Sequence, residues 1–251
     1  MHFEHSGEIW RDFPQLVPGV LFAEGITAQV SAEPRAATFI AAARSRLATA
    51  AEGELPEIQA WRRAFSTMGL KPTQYRCASE SLLRRLRKEG NLPLLHPLVD
   101  VCNAVSAAFA IPVAVFDVSK ITSQLEVRYA AGDEDYLTFS GEVEHPAAHE
   151  VIFADQARCV HARRWTNRQS GLSAVQKPTA AVLIVGEAMH DSAASDVPKL
   201  TAAVADELHA LWSLTPTVTI LSQRSPRFTF GSQPTGDGPV LPAGQPPSGQ
   251  A

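Results

Sequence analysis

A chain of 251 residues, 45% hydrophobic and 19% charged, is long enough to bury a sizeable core and polar enough to fold as a globular protein. A formal net charge of -4 excludes the basic balance of a protein held to nucleic acid by many phosphate contacts, and three scattered cysteines, Cys77, Cys102 and Cys159, exclude a disulfide framework or a C-x-x-C zinc site. The longest apolar runs fall well short of the roughly 20 residues of a membrane helix, and the first ten residues lack a basic-then-apolar leader pattern, so a cytoplasmic protein without membrane contact is expected.

In chain order, the apolar runs Leu16 to Phe22 and Ile26 to Val30, separated by Glu24-Gly25, predict a β-hairpin. Ser31 can cap a helix running to about Ala50, and a second helix spans roughly Glu57 to Met68, with Ile58, Trp61, Ala64, Phe65 and Met68 as its buried stripe. A third helix contains the run Leu82 to Lys88 and closes at Gly90; a fourth spans Pro97 to Ala110 and stops before Pro112. Strands are predicted at Val113 to Phe116, Leu125 to Ala130, Tyr136 to Phe139, Glu150 to Phe153, Arg158 to Arg164 and Ala180 to Val185. A helix follows from Lys199 to Leu214 and a strand at Val218 to Leu221. From Gly231 the chain is Gly, Pro, Ser and Gln, a composition that cannot offset its ordering entropy. Helices therefore gather in the first half and strands in the second. The expected fold class is α+β, with one domain over 1–230 and a disordered tail over 231–251.

Asp100, Asn103 and Ser106 recur at three-residue intervals on an otherwise apolar helix and so share one face. Such a row either bonds to neighbouring backbone or lines a cavity. Arg163, Arg164, Trp165, Asn167, Arg168 and Gln169 crowd guanidiniums, an indole and amides into one strand end. That mixture suits a phosphate, a carboxylate or an aminoacyl ester, and equally a solvated loop anchored by Trp165. Arg84, Arg85, Arg87 and Lys88 could touch an RNA backbone or could simply solvate a helix. Arg128 precedes an acidic turn and could hold a ligand carboxylate or that turn. G-x-S-x-G, P-loop and G-x-G-x-x-G patterns are missing, and the histidines lack metal-ligand spacing, so neither cofactor nor metal is expected. Cys159 and His161 would point to one face of a strand, and read as a packed pair.

Taken together, Glu80 to Arg85, Pro97 to Asn103, Ile111 to Asp117 and Val127 to Ala130 with Gly132 and Glu134 resemble the B3/4 domain of the phenylalanyl-tRNA synthetase beta subunit. The segments 163–170 and 179–187 are similar to its stand-alone members, and the likeness runs over roughly 60–215. The resemblance implies helices packed around a mixed or antiparallel sheet, and a protein that binds the acceptor end of misacylated tRNA. Ester hydrolysis there relies on a held water and ribose hydroxyls rather than on a protein nucleophile. Its implied partners are tRNA or aminoacyl-tRNA, or an amino-acid-like ligand, with no DNA.

On this reading Asp100, Asn103, Asp117, Arg128, Arg164, Trp165, Asn167, Arg168 and Gln169 shape the substrate pocket, and the chain does not charge tRNA by itself. Two positions depart from the family pattern. Ala114 stands where the synthetase domain has a histidine, and Ala174 where the best match places its substrate-contacting glutamate. Trans-editing deacylation and binding without catalysis both remain as expected activities.

Overall fold

The computed structural model describes residues 1–231, so all of the predicted tail but its first residue lies outside the described residues. Strand β1 (His2–His5), helix α1 (Gly7–Asp12) and strand β2 (Val17–Glu24) open the chain, followed by helices α2 (Glu33–Leu47), α3 (Pro56–Thr67), α4 (Ala78–Glu89) and α5 (Pro97–Phe109). The second half is mainly strand: β3 (Val113–Asp117), β4 (Gln124–Tyr129), β5 (Asp135–Leu137), β6 (Val143–Glu144), β7 (Val151–Asp155), β8 (Cys159–Arg163), β9 (Arg168–Gln169) and β10 (Ala181–Ala188). Helix α6 (Ala193–Trp212) and strands β11 (Thr217–Ile220) and β12 (Arg227–Thr229) complete it. The fold class is α+β.

Two sheets divide the strands. An antiparallel four-stranded sheet has the order β11-β2-β10-β3, and an eight-stranded mixed sheet runs β12-β1-β4-β7-β8-β5-β6, with β9 paired to β8. Strands β2 and β10 of the smaller sheet are buried on both faces, which is why β10 is apolar from Ala181 through Val185. Side chains alternate between the faces. Val20, Phe22, Phe116, Leu183 and Val185 join Phe3, Val127 and Phe153 of the larger sheet in one core, where the Phe116 and Phe153 ring centroids lie 5.3 Å apart. Leu21, Ala23, Val115, Val182 and Ile184 face the other way, against Leu98, Val101 and Val105 of α5 and Val197, Leu200 and Val204 of α6.

Close approach of α6 explains a glycine. A Cβ on Gly19 would stand 2.5 Å from Thr201 Cγ2 and 2.7 Å from Val197 Cγ1, both branched side chains that cannot swing away. Gly19→Ala is therefore expected to cost roughly 1–3 kcal/mol by overpacking, as a lowered urea midpoint with an unchanged slope.

The predicted hairpin after Leu16 does not form. Only its first arm is a strand, because β10 and β11 already occupy both edges of β2, and the chain turns away at Gly25 with φ +92°. Helix α2 starts at Glu33 behind Ala32, with no side-chain cap from Ser31. Helix α6 starts six residues before the predicted Lys199 and carries Pro198 inside it. Strands β1 and β12 pair with each other at the sheet edge, joined by Met1 and Phe230. Among the described residues, no helix is long and apolar enough to cross a membrane.

Candidate functional site

Alternation along β10 decides what lies between the sheets. Leu183 and Val185 point into the aromatic core, so Glu187, two residues on, points the same way and brings a carboxylate into an apolar interior. A buried carboxylate must be hydrogen-bonded. His5 Nε2 lies 2.7 Å from Glu187 Oε1, the Trp165 indole N–H donates to the same oxygen at 3.0 Å, and the Trp61 indole N–H donates to the Glu187 carbonyl at 3.2 Å. The other oxygen, Oε2, accepts no hydrogen bond among the described residues. Glu187 is 1% exposed and lines a partly open pocket of about 70 Å³.

Ala78, Pro112, Phe153, Ala162, Trp165 and Val185, with Val113 and Ala114 of β3, form the apolar walls, and residues 166–169 form the polar side. The strand end 163–169 reaches that position through two successive left-handed residues, Arg164 at φ 46° and Trp165 at φ 58°. Neither is glycine, and such conformations cost of order 1–3 kcal/mol each unless the surroundings hold them. Here the Trp165 N–H bonds to the Val151 carbonyl at 2.7 Å, and the indole is buried edge-on against Phe13 and Trp61. Asn167 Nδ2 donates to the Arg76 carbonyl at 2.7 Å, and Gln169 Nε2 to the Val115 carbonyl at 2.6 Å, tying the loop to β3 and to the entry of α4. Thr166 Oγ1, on the pocket wall, is buried without a partner among the described residues.

Of the residues read from the sequence, Trp165, Asn167, Arg168 and Gln169 therefore line one pocket. Arg164 lies beside them with its guanidinium 4.7 Å over the Tyr75 ring. The remaining four are not among the lining residues. Asp100 Oδ1 accepts from the Leu95 N–H at 2.8 Å and fixes the entry to α5. Ser106, one turn beyond Asn103, donates to the Ile111 carbonyl at 2.6 Å, so the polar row bonds to backbone at both ends, with Asn103 half-buried between. Asp117 accepts from Ser119 and from the Thr179 hydroxyl at 2.7 Å, and Arg128 clamps buried Glu134 at 2.6 Å.

Carboxylates hold most of the arginines. Arg168 is bidentate on Glu144, while Arg163 bridges Glu144 and Glu150. On α4, Arg87 is bidentate on buried Glu52, Arg84 stands 3.7 Å from it, and Arg85 pairs with Glu89, which leaves Lys88 without an ion pair among the described residues. Burial works against ionisation of Glu150, but the Arg163 fork and the charges of Arg163 and Arg164 outweigh it and hold the carboxyl below its ordinary value of 4.5. Burial likewise opposes Glu134, which the Ala131 N–H and Arg128 hold down. A depressed native pKa adds stability that is complete above the ordinary value and is lost as pH falls through the native one. The melting temperature is accordingly expected to drop between about pH 5 and about pH 3, and to drop less steeply in Glu150→Gln.

One further constellation mimics a catalytic triad. Ser173 Oγ lies 2.8 Å from His161 Nδ1, and His161 Nε2 stands 3.5 Å from Asp155 Oδ2. All three are buried, the longer contact is too long to orient the ring strongly, and the Asp155 oxygens already accept from the Thr122 and Cys159 N–H groups. The network knits the larger sheet and is closed to any substrate.

Glu187, which lines the pocket, and His5, which bonds to it from behind the wall, are polar residues that sequence reasoning missed. A lone carboxylate inside the run Ala181–Ala188 was the available signal; His5, remote in sequence, carried none.

A family model described as the B3/4 domain matches residues 60–201. The beta subunit of phenylalanine–tRNA ligase from Legionella pneumophila (strain Lens) is 32% identical over 103 residues, covering 39% of this chain and 12% of that protein. Its counterpart from Coxiella burnetii is 36% identical over 78 residues, covering 31% and 10%. The matched part thus spans about a tenth of these relatives. A solved N-terminal fragment of the phenylalanyl-tRNA synthetase beta subunit from Pyrococcus horikoshii matches over 85% of this chain and 49% of that one, at 8% identity and a TM-score of 0.42.

Proposed function

The chain belongs to the B3/4 domain family, and on that premise we propose that its pocket receives the aminoacyl end of a misacylated tRNA and hydrolyses the ester in trans. The observation that carries this reading is a pocket with apolar walls and one buried carboxylate that keeps a free oxygen. Such a pocket favours an amino acid with an apolar body and a hydrogen-bond donor at its end, since an unmet buried acceptor costs roughly 1–3 kcal/mol. In the reaction, water attacks the ester carbonyl, the bond to the ribose oxygen breaks, and free amino acid and tRNA leave. The chain's contribution is to hold the aminoacyl group against Glu187 and the 166–169 loop.

Arginine pairing favours a second reading, in which the pocket binds a small amino-acid-like ligand without turnover. Arg84, Arg85, Arg87 and Arg168 are committed to carboxylates, which weakens helix α4 as a contact for an RNA backbone.

Incubating the purified protein with a panel of mischarged tRNAs separates the two. Faster ester loss on some members, abolished in Glu187→Gln, supports deacylation. No acceleration anywhere on the panel removes the enzyme reading, and thermal shifts with free amino acids but not with uncharged tRNA would then support the second.

A further inference from the structure

We propose that His5 is a positioning residue for the pocket: as a neutral imidazole protonated on Nε2, it pins Glu187 Oε1 and so presents Oε2 as the atom that meets the ligand. The proposal rests on the pocket being the ligand site. It concerns a residue outside the family-matched segment 60–201, brought in by strand β1.

Three observations carry it. First, His5 and Glu187 are both buried and their contact is 2.7 Å, short enough for a strong hydrogen bond. Second, the imidazole is fixed on both sides, with the Phe3 ring 5.2 Å away and the Trp10 ring 5.3 Å away, so Nε2 has little freedom to leave the carboxylate. Third, His5 Nδ1 is buried with no partner among the described residues. A bare ring acceptor in that place is tolerable, whereas an unpaired N–H would be a rare and costly orphan. The proton therefore sits on Nε2. The Trp165 indole can only donate, so Oε1 accepts two N–H bonds from fixed rings and Oε2 receives neither.

Strand β1 is in turn held on both edges, by β4 in parallel and β12 antiparallel, with Phe3 opposite Leu125 and Phe228. The ring that aims the carboxylate is thus anchored in the larger sheet, while the carboxylate itself belongs to the smaller one. A hydrogen bond across the two sheets sets the pocket's selectivity.

Nuclear magnetic resonance of the ¹⁵N-labelled full chain tests the tautomer: Nδ1 of His5 is expected to show the signal of an unprotonated ring nitrogen and Nε2 that of a protonated one. A proton on Nδ1 would overturn the assignment.

The positioning role is read from binding of amino acid pairs that differ at a hydroxyl, tyrosine against phenylalanine and threonine against valine. Wild type is expected to favour the hydroxylated member of at least one pair. His5→Phe, which keeps a ring but has no donor, should reduce that preference roughly tenfold, and His5→Gln, which restores an N–H near the Nε2 position, should recover most of it. A merely structural role would lower the melting temperature of both variants without moving the ratio. If Glu187→Gln abolished the preference while His5→Phe kept it, the role of His5 would be refuted and the pocket reading would stand. If wild type showed no preference in either pair, the pocket reading would fall and take the role of His5 with it.

Discussion

Replacing Glu187 by leucine is expected to lower the stability of the protein by about 3–5 kcal/mol, even though an apolar residue enters an apolar interior. The reason lies in what is left behind. His5 Nε2 and the Trp165 indole N–H both bond to Glu187 Oε1, and in the variant both would be buried without an acceptor, each at roughly 1–3 kcal/mol. Leucine cannot return that loss by packing, because the site was built around a carboxylate with one face toward a pocket. Glu187→Gln keeps a carbonyl oxygen for one or both donors and should cost clearly less. Urea denaturation of the two variants beside wild type checks the ordering. Equal losses would mean that the two N–H groups find other acceptors, and the pocket would have to be redrawn.

Trp165→Ala should be comparably damaging, at about 3–5 kcal/mol for the loss of a large buried aromatic. The side chain is 0% exposed, stands edge-on to Phe13 at 4.9 Å and to Trp61 at 5.2 Å, and forms part of the pocket wall. Its backbone is left-handed, a conformation that alanine also dislikes, so the substitution removes the packing that holds the turn and keeps the conformational cost. Trp165→Phe is the instructive companion. It keeps most of the apolar volume but removes the N–H to Glu187, and the difference between the two variants measures volume against hydrogen bonding. If Trp165→Ala unfolded no more easily than Trp165→Phe, the indole would not be a structural wall of the site.

The local patterns of the sequence carried the helices well. Ile58, Trp61, Ala64 and Phe65 form the buried face of α3 as their spacing requires, and Gly90 closes α4 in a left-handed conformation. Partners of strands were harder to read. The run from Ile26 looks like a hairpin arm until both edges of β2 are seen to be taken by strands more than 150 residues away. Likewise β1 and β12 each span three or four residues, too short for periodicity to speak, and gain their stability only from each other and from β4.

The pocket divides along the same line. Trp165, Asn167, Arg168 and Gln169 could be grouped from sequence because they are neighbours in the chain. Arg128 and Asp117 were drawn into the same group by the family resemblance; the turn at Glu134 occupies Arg128, and Ser119 with the distant Thr179 occupies Asp117. Ala114, read as a loss, does line the pocket, in the β3 register opposite Val185. Glu187, by contrast, is made visible only by the alternation of a doubly buried strand.

The pairing of β1 with β12 has a mechanical side. Met1 and Phe230 are bonded to each other in both directions, so a force that separates these two residues loads a single rung of the ladder first and opens the rest in succession, as a zipper does. That mode of rupture needs far less force than sliding whole strands past each other. It would peel away β12, the outer strand, while β1 stayed paired with β4, so the imidazole would keep its hold on Glu187 after the edge had opened.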